Sequence, residues 1–342
     1  MQSKIRVFLS FLLFVLLFCG ACSGERSVNG GDPRSAVSNN LVIWTYNSFI
    51  SEWGPGPEIS RLFKEQTGIE INWVSHGNSG AVLSRLLLDR EQSGADIIIG
   101  IDQNQAPRIL ESGLLEAYRP SAYRIIPAEL ILDQQFRLIP FEYSFFAINY
   151  DSGRLSDPPR SLEDLTHPRF ERRLILIDPR TSNVGLGFFG WVKEVYGDGW
   201  QDYWRRLRPS ILTITEGWSS AYGLFTKGEA PMVLSYTTSP AYHLEYENSE
   251  RYKAAIFTDG HPLQIEIAGL LKAAKNKSNA KIFLDFMISP DFQNIIPLTN
   301  WMYTVTDIAP PASFRITPKS GKPLRPVPAT EGELNEWAAV FR

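Results

Sequence analysis

Hydroxyl and amide side chains follow three predicted strands, at the points where those strands end. Ligands of open α/β sheets bind at the carboxyl ends of the strands. Where a helix begins there, its first backbone N–H groups and its dipole attract an anion or a hydroxyl group. The pattern therefore predicts that this edge of the sheet binds an anion or a hydroxyl group of a ligand. Its expected members are Asn78 and Ser79 after the second strand, Ser182 and Asn183 after "LILIDPR", and Thr237, Thr238 and Ser239 after "MVLSY".

Aromatic side chains occur in or near the same loops. A cation over the face of a Trp or Tyr ring gains about 0.5 to 2 kcal/mol. Trp44 and Trp73 lie inside predicted strands and are expected in the core, whereas Trp53 precedes the turn "GPGP" and is expected at the site. The ligand should therefore have one flat or cationic end and one anionic or hydroxyl end. The rings expected to face it are Tyr46, Trp53, Trp218, Tyr242 and Trp301.

Residues for covalent or metal chemistry are scarce in the chain. Both cysteines, Cys19 and Cys22, lie near the N-terminus, and no G-x-S-x-G motif occurs. The four histidines show none of the short spacings typical of metal or triad sites. We therefore expect a binding protein without cofactor or metal, and not an enzyme. The formal charge of -3 and the absence of a Lys/Arg run in the body of the chain argue against nucleic acid as a partner.

The N-terminal segment has the features of an export signal. A basic start precedes an apolar run over residues 7–18, which is too short to span a bilayer. The following "GAC" resembles the lipobox of bacterial lipoproteins, although Cys19 stands where Leu is usual. We expect residues 1–22 to be a lipoprotein signal with Cys22 lipidated, the alternative being cleavage by ordinary signal peptidase. Residues 23–40 are rich in Gly, Ser and Asn and are expected to form a flexible tether.

The body of the chain alternates between strand and helix patterns. A strand from Leu41 and a helix from Pro57 to Gly68 open a series that predicts a parallel, doubly wound sheet. Residues 136–151 are too long for one ordinary strand and contain Pro140, so a crossover between two lobes is expected there. Residues 261–274 should return the chain to the first lobe. Thr330 and Glu333 predict a capping box at the last helix.

Five motifs, in order, carry a family resemblance. They are "TYNSF" with "WGPGP", "DPRTSNVGLG", "GWSSAYGLFTKGE", "LSYTTSPAYH" and "NWMY". Through them, residues 41–305 resemble the thiamine-binding proteins of bacterial ABC importers.

The resemblance implies a type II periplasmic binding protein fold, in which two α/β lobes joined by crossover strands close on a ligand. The expected lobes are 41–140 with 263–342, and 141–262. The protein would be a monomer on the periplasmic or cell-surface side of the membrane, held by its lipid anchor, and would deliver thiamine or thiamine phosphates to an ABC permease. The phosphate or hydroxyethyl contacts would be Asn78, Ser79, Ser182 and Asn183, with Trp218, Tyr236, Thr237, Thr238 and Ser239 on the same side. The rings around the pyrimidine and thiazolium would be Tyr46, Trp53, Tyr242 and Trp301.

The chain departs from the family pattern at Asn78, where the family more often has Asp. Loss of that negative charge would favour phosphorylated thiamine over the free vitamin. Other solutes remain alternatives. A ferric site would use adjacent tyrosines, which the chain lacks, and a polyamine site would use several carboxylates, for which Asp102, Glu142 and Glu266 are the candidates. A phosphonate is a third possibility. A thiaminase-like enzyme is the alternative of another class, but it would need a pocket cysteine.

Overall fold

The structure is a computed structural model that describes residues 39–318 and 323–341. The predicted signal segment with Cys22, and the predicted tether up to residue 38, lie outside the described residues. The strands are β1 (Asn40–Thr45), β2 (Glu70–Ser75), β3 (Ile97–Asp102), β4 (Leu115–Glu116), β5 (Ile139–Asp151), β6 (Leu174–Ile177), β7 (Ile211–Thr215), β8 (Met232–Tyr236), β9 (Tyr252–Ala255), β10 (His261–Leu271), β11 (Tyr303–Thr304) and β12 (Pro323–Leu324). The α-helices are α1 (Gly56–Thr67), α2 (Ser79–Asp89), α3 (Ala106–Glu111), α4 (Asn183–Tyr196), α5 (Trp200–Leu207), α6 (Trp218–Thr226), α7 (Pro240–Glu247), α8 (Lys277–Phe286), α9 (Pro290–Gln293), α10 (Ile296–Thr299) and α11 (Glu331–Val340).

The main strands form a mixed sheet in the order β2-β1-β3-β10-β5-β8-β6-β7. Strand β1 pairs in parallel with β2 and β3, and β6 pairs in parallel with β7 and β8. The expected parallel pairing is therefore confirmed for these two groups. Strand β10 runs antiparallel to β3 and β5, and β5 runs antiparallel to β8. The two long strands thus join the two parallel groups.

Strand β5 contains Pro140, at which the sequence suggests an interruption. The strand nevertheless continues from Ile139 to Asp151. Pro140 is opposite Ile267, and the register of the ladder shifts between Glu266 and Ile267. A strand tolerates proline at such an irregularity because the missing N–H is least needed there.

The buried side chains form two main cores, one on either side of the crossover. On β5, Phe141 packs in the first core and Phe146 in the second. Where the chain returns, Phe257 is still in the second core and Ile265, on β10, is in the first. The first core is built on β1 to β3, and the second on β6 to β8 with the helices that cover them. We call the two halves the first and second lobes. This is the predicted fold class, two α/β lobes joined by crossover strands.

The C-terminal helix α11 packs on the second core rather than the first. The predicted capping box is confirmed, because Thr330 Oγ1 accepts from the Glu333 N–H and the Glu333 carboxylate accepts from the Thr330 N–H. Trp337 is buried with its ring 5.7 Å from that of Trp204. The sequence-based boundaries place 263–342 in the first lobe, but these ring contacts hold the last helix on the second. Within the described ranges, no helix has the length and apolar character needed to cross a membrane.

Candidate functional site

A cavity of about 890 Å³ is lined by residues of both lobes. It lies at the carboxyl ends of β1, β2, β6, β7 and β8, where the sequence predicts the site. All expected ligand contacts except Thr237 and Thr238 line it. They are Tyr46, Trp53, Asn78, Ser79, Ser182, Asn183, Trp218, Tyr236, Ser239, Tyr242 and Trp301.

Thr237 and Thr238 lie behind the cavity wall. Both are fully buried, and the Thr238 hydroxyl is hydrogen-bonded to the Ser144 hydroxyl at 2.9 Å. The Thr237 N–H donates to the Phe145 carbonyl oxygen, which continues the pairing of β8 with β5. The two threonines follow β8 directly, and the Thr238 side chain and the Thr237 backbone are bonded to the crossover strand β5. The expectation that they contact ligand is not supported by the lining of the cavity.

One end of the cavity is formed by the beginnings of helices α2 and α4. Asn78 precedes α2, and Ser182 caps α4 by accepting a hydrogen bond from the Val184 N–H at 3.2 Å. Ser79 is buried, yet its hydroxyl has no hydrogen-bond partner within the protein. Free N–H groups and the positive ends of two helix dipoles favour an anion here. This end of the cavity has the character expected from the sequence.

Ser239 plays a different part from the one its position suggests. Its hydroxyl is bonded to the Ser235 hydroxyl at 2.7 Å and accepts from the Tyr236 N–H. The Ser235 hydroxyl in turn accepts from the indole N–H of Trp218 at 2.8 Å. The chain of hydroxyls therefore fixes the Trp218 ring, which also stacks on Tyr222 with centroids 5.0 Å apart.

Aromatic rings form the other walls of the cavity. Trp301 makes edge contacts with Tyr242 and Tyr246, with centroids 5.3 and 5.6 Å apart. Its backbone has a φ of 58°, which is rare for a bulky residue and is found mostly where function requires it. Trp53 stands at the rim with 53% of its surface exposed, as expected for a ring that the core does not bury. Phe49, in contrast, is fully buried in the first core.

A carboxyl group, Glu266, also lines the cavity. Tyr46 donates from its hydroxyl to Glu266 Oε2 at 3.0 Å, and Asn300 Nδ2 donates to the Tyr46 oxygen at 2.9 Å. Burial, together with the nearby Glu266 and Glu142, raises the pKa of Tyr46, so its hydroxyl remains a donor. The tyrosine predicted as a stacking ring is therefore oriented by hydrogen bonds to Glu266 on the crossover strand β10 and to Asn300 after α10.

Sequence reasoning missed Glu266 and Asn300 as site residues. The sequence suggests Glu266 only as a carboxylate for a polyamine, together with Asp102 and Glu142. The strand pairing brings the three carboxyl groups together, since Glu266 is opposite both Asp102 on β3 and Glu142 on β5. Their positions in the sequence give no sign of this. Within the described part of the chain, no group of three or more His, Cys, Asp or Glu side chains could hold a metal ion.

The two lobes touch each other beside the cavity. Asn78 Nδ2 and Thr181 Oγ1 both donate to the Glu216 carbonyl oxygen, at 2.9 and 2.7 Å. The first of these bonds joins the first lobe to the second. The rings of Trp53 and Trp218 also approach across the lobes, with centroids 6.5 Å apart. The arrangement is that of a closed cleft.

Residues 93–319 match the family model described as bacterial extracellular solute-binding protein. The chain belongs to this family. It is 42% identical over 324 residues to the thiamine-binding periplasmic protein of Brucella abortus biovar 1 (strain 9-941), covering 92% of this chain and 96% of the relative. It is 40% identical over 303 residues to the protein of the same name from Escherichia coli (strain K12), covering 87% and 92%.

A solved structure of a periplasmic thiamin binding protein superposes on the chain with a TM-score of 0.83. The identity is 38%, and the match covers 89% of this chain and 96% of the other. The resemblance read from the five motifs is therefore confirmed, as is the type II periplasmic binding protein fold.

Proposed function

We propose that this protein binds thiamine or thiamine phosphates outside the cytoplasm and delivers them to an ABC permease. The observation that carries the proposal is one cavity lined by aromatic rings, a carboxyl group and two helix N-termini. Thiamine matches both ends, because its rings are flat and cationic and its hydroxyethyl arm can carry phosphate. Relatives named for thiamine binding, at 40 and 42% identity, support the same ligand.

The ligand would lie with its phosphate or hydroxyethyl end at the α2 and α4 N-termini and its rings at the opposite wall. Trp218 and Ser239 would complete the wall between these ends. Thr237 and Thr238 would support that wall from behind rather than contact the ligand. The residues assigned to the polar end are Asn78, Ser79, Ser182 and Asn183, with Tyr236 on the same side, and those assigned to the rings are Tyr46, Trp53, Tyr242 and Trp301.

Replacing Trp218 tests this cavity. Trp218→Ala removes a ring face worth about 0.5 to 2 kcal/mol to a cation, so thiamine affinity should fall about 2- to 30-fold in titration calorimetry. Trp218→Phe keeps an aromatic ring, so its thiamine affinity should fall less than that of Trp218→Ala. Unchanged affinity in Trp218→Ala would count against the cavity as the thiamine site.

A ligand panel separates thiamine from the other solutes. Thermal-shift measurements with thiamine, its phosphates, spermidine, ferric citrate and a phosphonate should show the largest rise in melting temperature for thiamine or a phosphate ester, because a ligand stabilises the state it binds. A larger rise with another solute would replace the proposal. The protein would not be an enzyme, so thiamine incubated with it and an amine should be recovered intact, without released thiazole.

Binding would operate by closure of the two lobes. A ligand stabilises the closed state only by its greater affinity for that state, so contacts from both lobes are needed. We assign residues 41–140 and the segment from 263 to 316 to the first lobe. We assign residues 141–262 and helix α11 to the second. The closed monomer would be the form that the permease recognises.

The mature protein would be anchored to the periplasmic or cell-surface side of the membrane. The basis is the sequence alone, with residues 1–22 as a lipoprotein signal and Cys22 as the lipidated residue. Mass spectrometry of the mature N-terminus should find a lipid on Cys22. Cys22→Ser should release the protein from the membrane fraction. A mature chain without lipid would instead indicate ordinary signal-peptidase cleavage.

A further inference from the structure

Three carboxyl groups lie side by side across the sheet at the wall of the cavity. We call Asp102, Glu266 and Glu142 the carboxyl row, because Glu266 on β10 is opposite Asp102 on β3 and opposite Glu142 on β5. Residues directly opposite on antiparallel strands project from the same face of the sheet. All three are buried, and of the three only Glu266 lines the cavity. The row is therefore screened from solvent and reaches the ligand space through one residue.

The bonding around the row leaves one carboxyl atom without a donor. Glu142 Oε1 accepts from Asn300 Nδ2 at 2.5 Å, whereas Glu142 Oε2 has no donor in the protein. The carboxyl groups of Glu142 and Glu266 also hydrogen-bond to each other. A bond between two carboxyl groups requires a proton on one of them, since a carboxylate only accepts.

The surroundings favour that proton. The titratable groups that face Glu266 are Asp102, Glu142, Tyr46 and Tyr236, none of which supplies a positive charge. Burial raises the pKa of Glu266 to about 8 even though Glu142, Tyr46 and Asn183 hydrogen-bond to it, and burial and the Glu266 charge raise the pKa of Glu142. Burial likewise raises the pKa of Asp102 to about 7, although Asn104 and the Gln105 N–H donate to it. Before ligand binds, the pair Glu142–Glu266 thus holds a proton at neutral pH.

We propose that Glu266 is a specificity-determining residue that exchanges a proton for a cationic ligand, so that binding of the vitamin releases a proton from the carboxyl row. The inference rests on the proposed function, because the cation is the thiazolium or aminopyrimidine of thiamine. A positive charge beside Glu266 favours its ionised form and lowers its pKa. The proton leaves to solvent, and the carboxylate becomes the counter-charge of the bound cation. A neutral ligand of the same shape gains no such counter-charge, so the row selects for cations.

Titration calorimetry with unphosphorylated thiamine tests the exchange. Phosphate esters are avoided because they exchange protons near neutral pH themselves. Measurements at one pH in two buffers of different ionisation enthalpy should give a net release of protons on binding. Affinity should rise by up to about tenfold per pH unit for each proton released and should level off above about pH 8.

The variant Glu266→Gln keeps the shape of the side chain but cannot become a carboxylate. It should bind thiamine at least about tenfold more weakly and should lose the proton release. Glu229→Gln, at an exposed site, should behave as wild type. The comparison of two buffers uses only the wild-type protein. It therefore tests the inference even if Glu266→Gln does not fold. Thiamine binding without proton release overturns this inference alone, whereas absence of thiamine binding overturns the proposed function and this inference together.

Discussion

At the residue scale, Asn78 stands where the anionic end of the cavity meets the contact between the lobes. Its amide donates to the Glu216 carbonyl oxygen, and it directly precedes α2. From the sequence alone, we predict only that Asn in place of the Asp usual in the family favours ligands that carry phosphate. The structure adds a second effect, because a carboxylate at this position could not donate to Glu216.

The two effects can be separated by two substitutions. Asn78→Ala removes the donor without adding charge and should weaken thiamine and thiamine diphosphate equally, by about threefold to tenfold for one lost hydrogen bond. Asn78→Asp should weaken both at least as much and should weaken the diphosphate further, because like charges repel. Calorimetric titration of both ligands on both variants gives the comparison. Equal losses for the two ligands in Asn78→Asp would remove Asn78 as a determinant of phosphate preference.

Residue identities in the cavity are partly readable from sequence. Side chains in the loops at the carboxyl ends of parallel strands, such as Tyr46 and Ser182, line the cavity as the sequence predicts. Thr237 also follows a strand but does not line the cavity, and its backbone continues the pairing of β8 with β5. Glu266 lies inside a strand, where no loop signal marks it. Its place depends on which strands are neighbours, and that information is in the tertiary structure alone.

At the scale of elements, helix α2 approaches the second lobe closely at Gly80. A methyl carbon added to Gly80 would lie 2.7 Å from the Thr181 carbonyl oxygen, which is backbone and cannot turn away like a side chain. Gly80 is in the first turn of α2, and Thr181 precedes α4. A larger residue here would hold the two helix N-termini apart.

Gly80→Ala should therefore hinder closure of the two lobes without destabilising the folded protein. Alanine favours helix by up to about 1 kcal/mol, so the unfolding free energy of the ligand-free protein in urea should not fall. Thiamine affinity should fall by the overpacking cost of closure, about 1 to 3 kcal/mol. The control is Gly332→Ala in α11, where the nearest atom to the added methyl would be 3.9 Å away, so binding should be unchanged. Wild-type affinity in Gly80→Ala would show that the ligand does not require this approach of the lobes.

Most elements are predictable because their signals are local. Helix α1 has Pro57 in its first turn and ends at Gly68 with a φ of 73°, the left-handed cap that glycine adopts readily. The capping box of α11 is equally local. The continuation of β5 through Pro140 is not, because a neighbouring strand supplies the irregularity that accommodates it. The lobe to which α11 belongs likewise depends on a distant partner, Trp204.

At the scale of the whole molecule, the carboxyl row makes stability depend on pH. Burial raises the pKa of Asp102 to about 7 and that of Glu266 to about 8, above the values of an unfolded chain. The folded protein therefore binds protons more tightly than the unfolded one. The resulting stability is present at low pH and is lost as pH rises through these folded-state values.

We expect the contribution of the carboxyl row to the unfolding free energy of the ligand-free protein, measured in urea, to fall from about pH 4, where unfolded carboxyl groups ionise, to about pH 8, the folded-state pKa of Glu266. Glu266→Gln should fall less over the same range because one buried titrating group is gone. Glu229→Gln should follow wild type. If the unfolding free energy of Glu266→Gln depends on pH as that of wild type does, the ionisation of Glu266 does not destabilise the folded protein.

Trp53 and Trp218 belong to different lobes, and their rings approach to 6.5 Å while Trp53 remains about half exposed to solvent. Indole emission responds to solvent exposure and to a nearby ring, so a change in lobe spacing alters the fluorescence of this pair. The molecule thus carries a built-in optical reporter of its own occupancy. Rapid-mixing fluorescence on the unlabelled protein can follow capture and release in real time, and Trp53→Phe identifies the part of the signal that comes from the rim.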